Sequence, residues 1–356
     1  MTAASPFFVP SGQWFLLLIA VLLALPSGSR AQTPGAPPRL LSVLAAPPVR
    51  SGGIGLSARS ENPAFIRPAA ARPWPSAPSA RLPAPDSSGL HKRLPVLAGG
   101  LAVTYSGLLY LLDQGWYTGE RTRFHWFDDL AEWKQLDKAG HFWGAFHESR
   151  GAVDMLRWAG VPDRRAIWYG GFVGFLLQSP LEYFDGRDPA YGASATDLAA
   201  NFLGSAGLIA QQLTWNEVRL MPKYSFRTTR YARLRPNVLG KSLGEQHLKD
   251  YNGQTYWLCA DVAAWLKPES RWPKWLQPAV GYGAQEMVFN DPQANAALGL
   301  RAYRQYYLTL DVNLLRIPTR SKLLKRVFYV ASIFHLPAPA LEYNSRQGLV
   351  LHGLYY

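Results

Sequence analysis

Ser194-Ala195-Thr196-Asp197-Leu198-Ala199-Ala200-Asn201-Phe202-Leu203-Gly204-Ser205-Ala206-Gly207-Leu208 is the stretch on which the fold turns. Small and apolar residues dominate it, so it reads as a helix from about Ser194 to Trp215 that packs closely on its neighbours. Asp197 and Asn201 interrupt that texture. They stand four apart, hence on one helix face. A charge in apolar surroundings is costly, so it needs a partner or a task. Asp197 also lies near the helix start, where the dipole favours an acid.

Working outward, the same pattern recurs. An amphipathic helix is expected over about Gln135–Ala159. It opens Asp137-Lys138-Ala139-Gly140-His141, and Asp137 shares a face with His141. A carboxylate there orients the imidazole or raises its pKa. Lys138 points about 100° away, to snorkel or pair elsewhere. His147 and Glu148 add polar groups, and the alternative for this helix is a solvated polar stripe. A third helix is expected over about Arg164–Phe184, strongly apolar from Trp168 to Leu177. Glu182 and Asp185 stand at its end, followed by the turn-rich Gly186-Arg187-Asp188-Pro189; a capped end with surface acids is the alternative there.

Before these, Leu94–Leu112 is apolar, near the lower length limit for a spanning helix, and ends in an aromatic edge at Trp116-Tyr117. A polar, aromatic connector follows, from Phe124 to Trp133. Four helices in a compact membrane-type bundle over 94–221 is the resulting expectation. After Pro222 the texture changes to a basic, aromatic-rich region, 222–356, expected as mixed α/β. Arg304–Val312 and Leu349–Tyr356 alternate like strands, Ala279–Met287 partly so, and Ser321–Phe334 reads as helix. The fold class expected is therefore mainly α, a small helical membrane-type bundle followed by a mixed C-terminal region.

The ends and the composition narrow the class of function. Trp14–Leu25 is an unbroken apolar run, broken by Pro26 and Gly28, and Ser29-Arg30-Ala31 suits a signal peptidase. Residues 1–31 read as a signal peptide, and 32–93, rich in Pro, Ala and Arg, as a disordered linker. The formal net charge of +13 is partly a property of that linker. It reads as a solvated spacer or as an attraction to anionic membrane or cell-wall polymer. Nucleic acid is an unsuitable partner behind an export signal, and no motif for it is present. Cys259 is the single cysteine, so no internal disulfide is possible, and a small buried residue is expected. No nucleophile elbow, phosphate loop or dinucleotide fingerprint appears. Asp, His and Glu suit a divalent metal, but no HxxxH or HExxH spacing supports one, and the cofactor stays unassigned.

Asp137-Lys138-x-x-His141-Phe142, then Glu182, then Gly186-Arg187, then Asp197-x-x-x-Asn201-x-x-Gly204 resembles the VanZ-like membrane proteins in order and helical context. A closer likeness is to uncharacterised envelope proteins of the YfiM type. It rests on Ala166-Ile167-Trp168-Tyr169-Gly170-Gly171, Lys249–Leu258 and Leu336–Asn344. The resemblance implies a bacterial envelope protein with a helical membrane core, and a cell-wall or lipid-linked substrate. The exported linker and the long C-terminal extension depart from the VanZ-like pattern.

The expectation is an exported, membrane-embedded or membrane-associated envelope protein with one polar site. His141 is its proton carrier or ligand, Asp137 its orienter, and Glu182 a base or ligand. Asp197 completes the site, and Lys138, Asp185, Arg187 and Asn201 are its supporting network. The site binds or modifies a lipid-linked or cell-wall molecule. The alternative is a non-enzymatic structural or assembly factor in which the same residues fix helix register. A third reading, an outer-membrane β-structure, meets too few visible strands of about ten residues.

Overall fold

The computed structural model describes residues 90–115, 121–189 and 191–356. The expected signal peptide, and the expected linker as far as residue 89, lie outside the described residues.

Five longer helices come first: α1 Leu90–Gly115, α2 Leu136–Ala159, α3 Asp163–Gly171, α4 Val173–Asp185 and α5 Ala195–Trp215. α2 is the hub, touching α1, α3, α4, α5 and the first two strands of the sheet. The small residues act as the sequence suggests. A Cβ on Gly174 would lie 2.0 Å from the carbonyl oxygen of Ala145, so α4 rides against the α2 backbone. The expected third helix is in fact two. It breaks at Phe172, and two serines from other helices take over the freed N–H groups. Ser149 Oγ of α2 accepts from Gly174 N at 3.0 Å, and Ser205 Oγ of α5 accepts from Phe175 N at 2.9 Å. The two hydroxyls are themselves 3.0 Å apart.

The rest of the chain builds one antiparallel sheet in simple sequence order: β1 Leu220–Phe226, β2 Gln254–Ala260, β3 Leu276–Gln285, β4 Tyr303–Val312, β5 Ala338–Asn344 and β6 Gly348–Tyr355. Short helices fill the connections: α6 Pro236–Leu239, α7 Leu243–Lys249, α8 Pro292–Ala297 and α9 Lys322–Ala331. The sheet is sharply curled. Four strand spacings of 4.7–4.9 Å would hold β2 and β6 about 19 Å apart in a flat sheet. Yet Tyr355 on β6 reaches the Thr255 hydroxyl on β2 at 3.0 Å, and its ring lies 5.9 Å from Trp257 and 4.4 Å from Tyr307. The concave face is filled by its own side chains, many of them polar. Lys223 pairs with Asp311 at 2.6 Å, and Glu342 accepts from Gln305 at 2.5 Å and pairs with His352 at 2.7 Å. On the convex face, α2 covers β1 and part of β2. Trp143 lies 5.3 Å from Tyr224 and 6.5 Å from Tyr256, and His147 Nε2 donates to the Pro222 carbonyl at 2.7 Å.

This corrects three expectations. The fold is not a mainly α membrane bundle, because a six-stranded antiparallel sheet packs with the helices in one core. Among the described residues no helix is long and apolar enough to cross a membrane, which overturns the transmembrane and membrane-embedded readings. The physical reason lies in α2 and α4. Mid-helix His147, Glu148 and Arg150 are buried by packing, and the most apolar stretch is cut in two at Phe172. The third correction concerns the C-terminal region, where six strands stand in place of the two or three that alternate visibly. β1 escaped notice because it is buried along most of its length, so it shows no alternation.

Candidate functional site

Near its start, α2 carries Asp137, Lys138 and His141 on the side that meets the N-terminal turn of α5 and the end of α4. Ser194 caps α5 by accepting from Asp197 N at 3.0 Å, which fixes Asp197 at the first turn. Asn201 follows one turn on. Glu182 arrives from the last turn of α4, and its Oε2 accepts from Ser194 N at 2.9 Å.

His141 is the centre. Its Nδ1 meets Asn201 Oδ1 at 3.0 Å, so Nδ1 carries hydrogen and Nε2 is turned to the other side. Around Nε2 stand three carboxylate oxygens: Asp197 Oδ1 at 3.7 Å, Asp137 Oδ1 at 3.9 Å and Glu182 Oε1 at 3.9 Å. None is within hydrogen-bond reach. All four residues are at most 5 % exposed.

Lys138 closes one side. It pairs with Asp129 at a short contact, with Asp197 at 2.8 Å and with Asp137 at 3.1 Å. Although Asp197 Oδ1 lies that close to the ammonium, it accepts no well-aligned hydrogen bond, and Asn201 Nδ2 has no acceptor. Asp129 comes from the aromatic connector and also accepts from Ser194 Oγ at 2.6 Å and Thr196 Oγ1 at 2.9 Å. That connector is tied to the segment leading into α5, with Phe127 N bonded to Ala193 O at 3.0 Å and Ala193 N to His125 O at 3.0 Å. From the far side Tyr251 donates its hydroxyl to Asp137 Oδ1 at 2.7 Å.

Charge decides the protonation of these groups. If all ionise, Asp129, Asp137, Glu182 and Asp197 face only Lys138 and a protonated His141, an excess of two negative charges. Burial disfavours a charged His141 ring, but Asp197, Asp137 and Glu182 outweigh it and lift the pKa to about 9. Burial and then repulsion from Asp137 push Asp197 up to about 7. Burial likewise raises Glu182 well above the usual carboxylate range. Asp137 moves the other way despite its burial, held low by Lys138 and His141.

The structure therefore brings together Asp137, Lys138, His141, Glu182, Asp197 and Asn201. Arg187 is elsewhere, donating to the Tyr183 hydroxyl at 3.2 Å on an exposed side. Asp185 bears on the site as a repulsion on Glu182. Sequence reasoning missed Asp129, Ser194 and Tyr251 as members. Asp129 carried a signal, as an acid inside an otherwise aromatic connector. Tyr251 carried none, since it is 114 residues from Asp137.

One other concavity, a cleft of about 240 Å³, lies between α2 and the sheet and is lined by Arg150, Arg316, Asp261 and Glu217 among others. Its charges are already paired: Arg316 binds Asp261 at 2.7 Å and Glu217 at 3.1 Å.

A divalent cation fits the donor set at His141. Single donor atoms of Asp137, His141 and Asp197 all lie within 4.8 Å of one another. Donors bound at about 2.0–2.2 Å to a common ion sit within roughly 4 Å of each other, so small side-chain adjustments suffice. The Nδ1 contact to Asn201 is the kind of outer partner that fixes a ligating imidazole. No family model, curated protein or solved structure matches the chain.

Proposed function

We propose that this chain is a bacterial envelope protein whose helical half binds a divalent cation through Asp137, His141 and Asp197, with Glu182 as a further donor, and acts through it on a cell-wall or lipid-linked molecule. One observation carries the cation. An imidazole nitrogen, fixed from behind by Asn201, faces three carboxylate oxygens at 3.7–3.9 Å with no hydrogen bond to any of them. The mixed nitrogen and oxygen donors suit Zn²⁺ or Mn²⁺. The VanZ-like motif order and the YfiM-type phrases support the envelope assignment and the substrate class.

When bound, the cation would polarise an oxygen ligand or lower the pKa of bound water. Lys138 balances the carboxylates, Asn201 holds the imidazole tautomer, and Tyr251 orients Asp137. The aromatic connector is braced against the segment before α5 by the backbone bonds of Phe127 and His125 with Ala193.

Metal analysis of the purified full chain, followed by calorimetric titration with Zn²⁺ and Mn²⁺, tests the reading. We expect near-stoichiometric binding, lost in His141→Ala and weakened at least tenfold in Asp197→Asn. At a hundredfold excess over Kd the bound ion adds about 2.7 kcal/mol to stability. No binding by the native chain, with a Tm indifferent to both metal and chelator, would sink it.

A second reading, a register lock without chemistry, is favoured by the Tyr251–Asp137 bond, because it ties the sheet region to α2. Tyr251→Phe separates the two. It lowers Tm under either reading, and if the cation is the point it also weakens metal affinity by roughly tenfold or more, whereas a lock alone loses stability with no metal affinity to lose.

A further inference from the structure

The convex face of β3–β6 is dressed the wrong way round for water. An antiparallel sheet with one wet face normally shows polar residues outward and apolar residues inward. Here Val280, Leu308, Leu341 and Leu351 point outward at 54, 56, 39 and 78 % exposure. The inward positions between them hold Gln305, Asp311 and Glu342, all buried.

The exposed residues are in register. Leu258 pairs with Val280, Val280 with Leu308, Leu308 with Leu341 and Leu341 with Leu351, so one aliphatic row crosses five strands. Two residues along, Tyr282, Tyr306 and Tyr343 form a parallel row. Two further, on β4, stands exposed Arg304. The turn Leu314–Arg316 after the opposite end of β4 packs on α9, a helix held to α2 by the Tyr329–Asp154 hydrogen bond and carrying Lys322, Lys325 and Arg326 among exposed Leu323, Leu324 and Val327. Aliphatic band, tyrosine, then cation is the polarity order met on leaving hydrocarbon for a headgroup layer. A basic helix with an exposed apolar stripe is an interfacial anchor for anionic lipid.

We propose that the convex face of β3–β6 seats against an anionic lipid bilayer, its aliphatic row in the acyl chains, with Arg304 at one end of β4 and the basic α9 past the turn at the other end meeting the headgroups. The inference goes beyond the cation site and stands without it. It requires no helix to cross the bilayer. A second copy of this chain could cover leucines equally well, but it would leave the graded order of aliphatic, tyrosine and cation without a reason.

Flotation of the full chain with phosphatidylglycerol-containing vesicles tests it, against phosphatidylcholine vesicles and against Leu308→Glu/Leu341→Glu. The native chain should float with the anionic vesicles and several-fold less with the neutral ones. The double variant, with its circular dichroism unchanged, should lose at least tenfold in bound fraction. A second arm does not depend on that variant folding. Leu351→Cys takes an environment-sensitive label, since Cys259 is fully buried, and brominated acyl chains should quench it. Undiminished flotation of the folded double variant, or an unquenched label on vesicle-bound protein, would overturn the proposal. So would a native dimer in sedimentation that the double variant dissolves, with no vesicle binding by either.

Discussion

His335 shows at the scale of one residue how firmly this molecule rejects a charge it has no use for. Its ring stacks on Trp257 at 3.9 Å between centroids, and neither ring nitrogen has a hydrogen-bond partner. Burial drives its pKa down to about 4, against a weaker pull from Asp311. The unfolded chain, near 6.5, binds protons first as pH falls, so the native state loses stability from about pH 6.5 down towards 4. His147, pressed down to about 3 by burial and by Arg150, acts in the same direction. We expect His335→Phe, which keeps the ring, to reduce the fall in Tm between pH 7 and pH 4 without raising it much at pH 7. Thermal melts of the two proteins across that range check it, and parallel curves would show that His335 is not the proton acceptor. At this scale the sequence was informative where partners share a helix. Asp137 with His141, and Asp197 with Asn201, were visible as pairs because the spacing of four is local. Asp129 and Tyr251 were not, because the contacts that make them members cross connectors and strands that no periodicity links.

At the scale of elements, the break at Phe172 is the feature that the apolar run from Trp168 to Leu177 concealed. A continuous helix would bond Gly174 N and Phe175 N to its own preceding turn. In their place Ser149 and Ser205 accept from them at 3.0 and 2.9 Å, so α4 is capped by side chains of its neighbours. Loss of a serine cap costs roughly 1 kcal/mol. Ser149→Ala and Ser205→Ala should each lower stability by about that amount, and the double variant by less than the sum, since the hydroxyls also bond each other. Urea unfolding of the three variants reads this, and strict additivity would show the caps to be independent. The helices themselves were legible from small residues and apolar period. β4 and β6 were legible from alternation, because only one of their faces is covered. β1 and β2 were not, because α2 on one side and the curled interior on the other remove the period.

For the whole molecule, the reading as a membrane bundle failed for a reason that composition cannot show. Glycines and apolar side chains on α2, α4 and α5 face one another and the first strands, and the buried charges among them are answered by other side chains rather than by water or lipid. The same composition would serve either solution, and what distinguishes them is the sheet, whose pairings lie far apart in sequence from the helices they cover. The sheet is also strictly sequential, each strand joining the one before it. Its first strand is fixed to α2, so growth from the helical half outward has a template at every step, and closure cost rises only slowly with the length of the long connections before β2 and β5. Tyr355, near the end of β6, is the piece that reaches back across the curl to Thr255 and Trp257. Until it arrives, the indole of Trp257, 2 % exposed in the finished fold, has water on one side. Deleting residues 346–356 should therefore leave β1–β5 paired but shift the emission of Trp257 to longer wavelength, resolved by comparison with Trp257→Phe. β6 works as a latch, and the tryptophan behind it signals whether that strand has docked.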